Sequence, residues 1–214
     1  MYRFRTIINI ALLVICLVLI SFSGDGYSAI DISHHNTDVE AKLEKYKPHI
    51  VIAKASEGVS FKDPKFNDYF QLCQKRKILF GAYHFLSFDK DIKNQFQNFC
   101  SVVKVGNNQY KIALKPVLDV ERNSGKQTPE AKEIRRMVKE FGQLCYKEFG
   151  CYPIIYCNEI YRWYYFAYGF REYTFWIRNT IAVPLLPCAI HQYKEDKGIN
   201  LDFNRINDIS QILM

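Results

Sequence analysis

The sequence predicts a single α/β domain with a (β/α)8-like barrel that is irregular because some helices are short or missing. Short apolar runs recur along the chain and helical patterns separate several of them, which is typical of βα repeats around a parallel sheet. There are eight such runs, and that number favours a closed barrel over an open sheet. The 214 residues are fewer than the roughly 250 of a typical full barrel, so the helical layer must be incomplete.

The predicted strands follow one another at short intervals. They are the apolar runs at 27–32, 50–55, 78–85, 115–121, 153–157, 173–177, 189–193 and 199–203. Helical periodicity is weak across residues 158–200, which indicates that the missing helices belong to the C-terminal half.

Three helices between these strands have clear start signals. Asp63-Pro64 opens the first with an N-cap and a proline in the first turn, and Asp89 opens the second. Thr128-Pro129-Glu130 opens the third, which Gly150 closes. Their apolar stripes are, in order, Phe66, Tyr69, Phe70 and Cys73; Ile92, Phe96, Phe99 and Val103, ending at Gly106; and Ile134, Val138, Phe141 and Cys145.

Residues 1–23 differ in character from the rest of the chain. Two arginines precede an apolar run at 7–22, and small residues up to Ser23 offer a cleavage site, a pattern that predicts a signal peptide. The run is shorter than the roughly 20 residues of a membrane span, although an uncleaved anchor stays open. We therefore expect an exported protein, periplasmic, in the cell envelope or extracellular, with no stable membrane partner unless the segment is uncleaved.

The composition excludes several classes of protein. Hydrophobic residues at 49% and charged residues at 24% are typical of a folded globular chain, not of a disordered or collagen-like one. The net charge of +7 suits an anionic polymer, while the lack of a block of like charges argues against a nucleic-acid partner. Six cysteines beyond residue 23 leave disulfides and buried free thiols equally open. We expect a monomer.

Carboxylates at the ends of the predicted strands are the first candidates for chemistry, because active sites of such barrels form at the C-terminal ends of the strands. Asp31, Asp119, Glu121 and Asp202 each end or follow an apolar run. The spacing of Asp119 and Glu121 directs both side chains to one face of a strand. Two neighbouring acids repel each other and raise one pKa, and a neutral acid beside a carboxylate is what glycosidic bond cleavage requires.

A series of short words, in a fixed order, strengthens this interpretation. The words are A-I-D-I-S-H-H-N at 29–36, V-I-A-K-A-S-E-G-V-S-F-K-D-P at 51–64, G-A-Y-H-F at 81–85, P-V-L-D-V-E at 116–121, Y-P-I-I-Y-C-N at 152–158, H-Q-Y at 191–193 and L-D-F-N-R at 201–205. The ordered set resembles the peptidoglycan muramidases of glycoside hydrolase family 25. It runs from about residue 27 to 206, which makes residues 24–214 one catalytic domain.

The resemblance implies a flattened barrel variant that cleaves the β-1,4 bond from N-acetylmuramic acid to N-acetylglucosamine in peptidoglycan glycan strands. By the family's motifs, Glu121 matches the general acid, and Asp119 matches the partner residue that acts on the substrate's acetamido group. Asp31 and Asp202 match the two acids that flank the groove. Residues on positions that line the family's groove are Tyr83, Lys54, Glu57, Tyr156 and Gln192.

Two departures from the family pattern bear on substrate preference. His191 replaces the usual tryptophan before Gln-Tyr, and the Trp-Ile-Ala-x-Tyr word has Arg178 in its third position. Both changes are predicted at the groove wall. The alternative function is therefore a cell-wall glycan-binding protein or a chitin-type amino-sugar hydrolase with altered subsites. Val117 argues against a chitinase, because it stands where the D-x-D-x-E motif of chitin-cleaving enzymes has its first acidic residue.

The expected cleavage route uses the substrate's own acetamido group. Asp119 and Glu121 share one strand, whereas a nucleophile ordinarily stands across the sugar from the acid, at about 5 Å in retaining enzymes. We therefore predict attack by the acetamido oxygen and a product that retains the β-configuration. No cofactor or metal is expected, because acid catalysis at a glycosidic bond needs none. A metal site of His84 with Asp31 and Glu121 is the alternative.

Overall fold

The computed structural model describes residues 26–88, 91–106, 109–122 and 127–214. The predicted signal peptide and Asp89 lie outside these described residues. Within them the strands are β1 (Ser28–Ile32), β2 (Ile50–Glu57), β3 (Phe61–Lys62), β4 (Leu79–Phe85), β5 (Lys104–Gly106), β6 (Gln109–Tyr110), β7 (Val117–Asp119), β8 (Ile154–Asn158), β9 (Thr174–Arg178), β10 (Ile190–Asp196) and β11 (Leu201–Ile206). The helices are α1 (Val39–Tyr46), α2 (Phe66–Arg76), α3 (Ile92–Val103), α4 (Ala131–Phe149) and α5 (Glu159–Phe166), followed by a 3-10 turn at Ile209–Gln211.

The predicted barrel is confirmed. Among the described strands, the closed ring runs β1-β2-β4-β7-β8-β9-β10-β11 and returns to β1. Neighbours from β1 through β10 pair in parallel, but β11 is antiparallel to both β10 and β1. The expectation of a wholly parallel sheet is therefore wrong at the last strand. Only residues 197–200 connect β10 to β11, and a parallel pair would need a crossover of roughly a dozen residues or more.

The helix starts and ends differ from the sequence pattern in particular places. α2 begins at Phe66 and not at Pro64, because Asp63 forms a turn in which its carboxylate accepts the Lys65 amide proton. α3 begins after the N-cap Asp91 and ends at Val103, and the segment up to Gly106 forms a strand. The third predicted helix, α4, begins at Ala131, after the predicted start, and ends at Phe149, with Gly150 as its cap at a φ of 75° that suits glycine.

Helices α1 and α5 were not predicted from the sequence. Each has only 8 residues, which is too short for a clear 3.6-residue period. No helix within the described ranges is both long and apolar enough to cross a membrane.

Two apolar cores flank the barrel wall. The outer core lies between the strands and the helices and includes Phe66, Phe99 and Phe141. The inner core fills the barrel from its floor, where Leu114 and Ile212 are fully buried. The Lys115 amide donates to the Ile212 carbonyl at 2.8 Å, so the C-terminal segment helps to close this end. The opposite end, the mouth of the barrel, is where polar side chains line the interior.

The six cysteines within the described residues are free thiols, which decides the open question of disulfides. Cys73, Cys100, Cys145 and Cys157 are buried in the outer core. Burial is the largest cause that raises the pKa of each of these thiols, to about 12 at Cys73. They serve as small apolar residues of the core.

Candidate functional site

The mouth of the barrel holds a cleft of about 130 Å³ that brings together the four predicted acids. Its lining residues are Asp31, Tyr83, Val117, Asp119, Glu121, Tyr156, Trp176 and Asp202. Val117, Asp119 and Glu121 alternate along one segment, so their side chains share the inward face. A larger cavity of about 510 Å³, lined by residues such as Tyr27, His49 and Arg76, contains none of these acids.

The antiparallel strand β11 explains how Asp202 reaches this cleft. Asp202 is the second residue of β11 and lies opposite Asp31 of β1. A strand of reversed direction presents its beginning, not its end, at the rim where the parallel strands finish. The sequence prediction that Asp202 ends a strand is therefore wrong, although the residue lines the cleft.

Asn204 is a site residue that the sequence reasoning missed. Its Nδ2 donates to Asp31 Oδ1 at 2.7 Å, and its Oδ1 accepts from Trp176 Nε1 at 2.8 Å. Asn204 thus holds one carboxyl group and the indole that lines the cleft. Its position two residues after Asp202 on one strand is the signal that could have found it.

The four carboxyl groups hold protons more tightly than free acids do. Burial, and then the charge of Asp202, raise the pKa of Asp31 to about 8, while burial and Glu195 raise that of Asp202 to about 6. Burial also raises the pKa of Glu121, and burial with the nearby Glu121 charge raises that of Asp119 well above its ordinary value. The cleft can therefore present both protonated and ionised carboxyl groups near neutral pH.

One oxygen of the cleft has no partner among the described residues. Asp119 is 7% exposed, and its Oδ1 is buried without a hydrogen bond there. A buried carboxylate oxygen normally accepts at least one hydrogen bond. The atom is therefore available to a donor group of a bound molecule.

The predicted substrate-binding residues divide into two groups. Tyr83 and Tyr156 line the cleft, whereas Lys54, Glu57 and Gln192 are not among its lining residues. Lys54 Nζ donates to Glu57 Oε2 at 2.6 Å, and its charge lowers the otherwise raised pKa of Asp119. The Tyr156 hydroxyl donates to Gln192 Oε1 at 2.7 Å, which fixes the tyrosine ring against the cleft.

The two departures from the family pattern have different surroundings. His191 Nε2 donates to the Asn179 carbonyl at 2.8 Å, and His191 is not among the residues that line the cleft. Arg178 pairs with Glu195, and its charge acts on both Glu121 and Asp202. Arg178 is not among the lining residues either, so the placement of both changes at the groove wall stays a prediction.

The geometry does not support the alternative metal site. His84 is fully buried in the outer layer, with Nδ1 2.8 Å from Ser56 Oγ and Nε2 3.1 Å from Gln95 Oε1. Its ring stacks on Phe141 of α4, away from Asp31 and Glu121. In the part of the chain that the structure describes, no three His, Cys, Asp or Glu side chains are arranged to hold a metal ion.

Comparison with known proteins agrees with this site and fold. The family model described as glycosyl hydrolases family 25 matches residues 30–200. The uncharacterized protein YegX of Escherichia coli (strain K12) is 33% identical over 126 residues, which are 59% of this chain and 44% of that protein. The chain thus spans less than half the length of this curated relative.

Solved structures give the same result. A family 25 glycosyl hydrolase from Bacillus anthracis superimposes with a TM-score of 0.77 and 24% identity, over 87% of this chain and 95% of that one. A family 25 lysozyme from Aspergillus fumigatus has a TM-score of 0.74 and 21% identity, over 87% and 97% of the two chains. The barrel fold and the family resemblance are confirmed.

Proposed function

Because the chain belongs to glycosyl hydrolases family 25, we propose that it is a muramidase that hydrolyses the β-1,4 bond between N-acetylmuramic acid and N-acetylglucosamine in peptidoglycan. The observation that carries this proposal is the cleft at the barrel mouth, in which Asp31, Asp119, Glu121 and Asp202 meet. Such a set of carboxyl groups, some protonated and some ionised, suits acid catalysis at a glycosidic bond.

Glu121 is the general acid of the proposed reaction. Burial raises its pKa, which favours the protonated form that can donate to the leaving oxygen. The partnerless Oδ1 of Asp119 accepts the N–H of the substrate's 2-acetamido group and orients its oxygen toward the anomeric carbon. That oxygen attacks the anomeric carbon as the glycosidic bond breaks, which closes a ring between the acetamido group and the sugar. Water then attacks the anomeric carbon and opens this ring, while Glu121, which has given up its proton, takes a proton from the water.

Digestion of purified cell wall tests the function. Glu121→Gln removes the donated proton and is expected to lower kcat/KM by at least about 10²-fold. Glu44→Gln, a substitution at an exposed side chain of α1, is the matched control and is expected to retain wild-type activity. Mass spectrometry of the fragments identifies the bond, and proton NMR of the fresh digest is expected to show the β-anomer. Wild-type protein that binds wall without releasing fragments would favour the glycan-binding alternative, and release of chito-oligosaccharides the chitin-type one.

Export and a monomeric state complete the proposal. The support for export is the sequence pattern of residues 1–23 together with a substrate that lies outside the cytoplasm. N-terminal sequencing of protein recovered from the native host is expected to begin near Gly24. An intact Met1 on cytoplasmic protein would contradict export.

A further inference from the structure

A bulge in β10 turns Glu195 toward the mouth of the barrel. Gln192 pairs with Asn204, but Lys194 pairs with Phe203 and Glu195 with Asp202, so Tyr193 is the extra residue. In a regular strand that directs Gln192 inward, residue 195 would face outward. The bulge reverses this alternation and re-aims the carboxylate.

Arg178 reaches the same place from the neighbouring strand. It is the last residue of β9 and lies in register with Gln192 of β10. Its Nε donates to Glu195 Oε1, and Gln192 Nε2 contacts the same oxygen at 3.5 Å. The ion pair therefore spans β9 and β10 directly beside Asp202.

We propose that Arg178 and Glu195 are a positioning pair that fixes the net charge beside Glu121 and Asp202, and thereby the pH range over which Glu121 can donate its proton. The consequence for catalysis rests on the proposed function of Glu121. The arrangement of charges itself does not, because it follows from the bulge and the register of three strands.

The two members of the pair act on their neighbours in opposite directions. Burial is the largest influence on Glu121 and raises its pKa. The charge of Arg178 lowers this pKa, and the charge of Glu195 raises it. Burial is also the largest influence on Asp202 and raises its pKa, which the charge of Glu195 raises further and the charge of Arg178 lowers. The other titratable groups around this cluster, among the described residues, are Asp31, Lys54, Glu57, Tyr83, Asp119, Tyr156 and Lys197, whose charge acts on Glu195. These seven residues are unchanged when only the pair is altered.

Carboxyl ¹³C NMR titration of the full chain, together with the pH profile of wall digestion, tests the proposal. Arg178→Gln is expected to raise the pKa of Glu121 and Asp202 and to move the basic limb of kcat/KM to higher pH. Glu195→Gln is expected to lower both pKa values and move that limb to lower pH. The double variant returns toward wild type, and Arg178→Lys, which keeps the charge, is expected to stay near it.

The exposed pair Arg136–Glu140 of α4 supplies the matched control. Arg136→Gln and Glu140→Gln make the same charge changes away from the cleft and are expected to leave both titrations unmoved. Shifts in the same direction for Arg178→Gln and Glu195→Gln, or no shift in either, would overturn the proposal. If the wild type does not digest wall, the muramidase assignment fails, while the NMR titration still decides whether the pair sets the charge.

Discussion

At the scale of single residues, Asp119 and Glu121 lie on one segment of the cleft but have different contacts. Asp119 is almost fully buried with one partnerless oxygen, whereas Glu121 is partly exposed and stands beside Arg178. One group is placed to accept a hydrogen bond from a ligand and the other to exchange a proton. This difference, which spacing alone does not give, supports the different tasks that we propose for two carboxyl groups two residues apart.

Asp119→Asn tests this division of tasks. The amide keeps the size of the side chain but cannot ionise, and its nitrogen only donates where a carboxyl oxygen would accept the acetamido N–H. We expect kcat to fall by about 10²-fold or more, the usual cost of a lost electrostatic stabiliser. Binding of a wall fragment, measured by calorimetry, is expected to change little. A large loss of affinity with unchanged kcat would assign Asp119 to binding alone.

At the scale of elements, the sequence predicts the strands well because each is a dense apolar run. It predicts less well which face of the barrel wall each side chain occupies. The i, i+2 spacing correctly places Asp119 and Glu121 along one cleft. It does not reveal Glu195, because a bulge at Tyr193 changes the alternation. It also misjudges the direction of the last strand, since that depends on the short link at 197–200 and not on any residue within β11.

The contact of α4 with the chain before β9 gives a prediction at this scale. Gly142 is buried against Tyr173, and a Cβ there would overlap the tyrosine hydroxyl and lie 2.8 Å from ring carbons Cε1 and Cζ. The ring cannot move easily, because it packs against Tyr152 and Phe170. Alanine favours a helix by about 1 kcal/mol over glycine, but overpacking of a core costs roughly 1–3 kcal/mol.

We therefore expect Gly142→Ala to lower Tm in thermal unfolding followed by circular dichroism. Gly106→Ala is the matched control, because its nearest neighbour would be Gln109 Oε1 at 4.0 Å. Addition of Tyr173→Phe, which removes the overlapping oxygen, is expected to restore part of the loss. A Tm that rises in Gly142→Ala would show that helix propensity outweighs the contact.

At the scale of the whole molecule, an apolar barrel carries a cluster of acids that costs stability as it ionises. Asp31 has a folded pKa of about 8 and an ordinary value of 3.8. Between these pH values the folded chain keeps a proton that the unfolded chain releases. The stabilising contribution of protonated Asp31 is thus fully present below pH 3.8 and is lost as the pH rises to about 8.

Asp31→Asn removes this titration while keeping the acceptor for Asn204 Nδ2. We expect its free energy of unfolding, relative to wild type, to increase from pH 4 to pH 8 by an amount on the order of a few kcal/mol. Urea unfolding at a series of pH values measures this difference. Asp208→Asn is the contrasting variant: hydrogen bonds from Ser210 and Gln211 lower the pKa of Asp208, so its stability relative to wild type is expected to change with pH only in the acid range. A relative stability of Asp31→Asn that stays constant or falls with pH would mean that Asp31 ionises freely in the folded cleft, and that the cluster does not hold the protons on which the proposed acid catalysis depends.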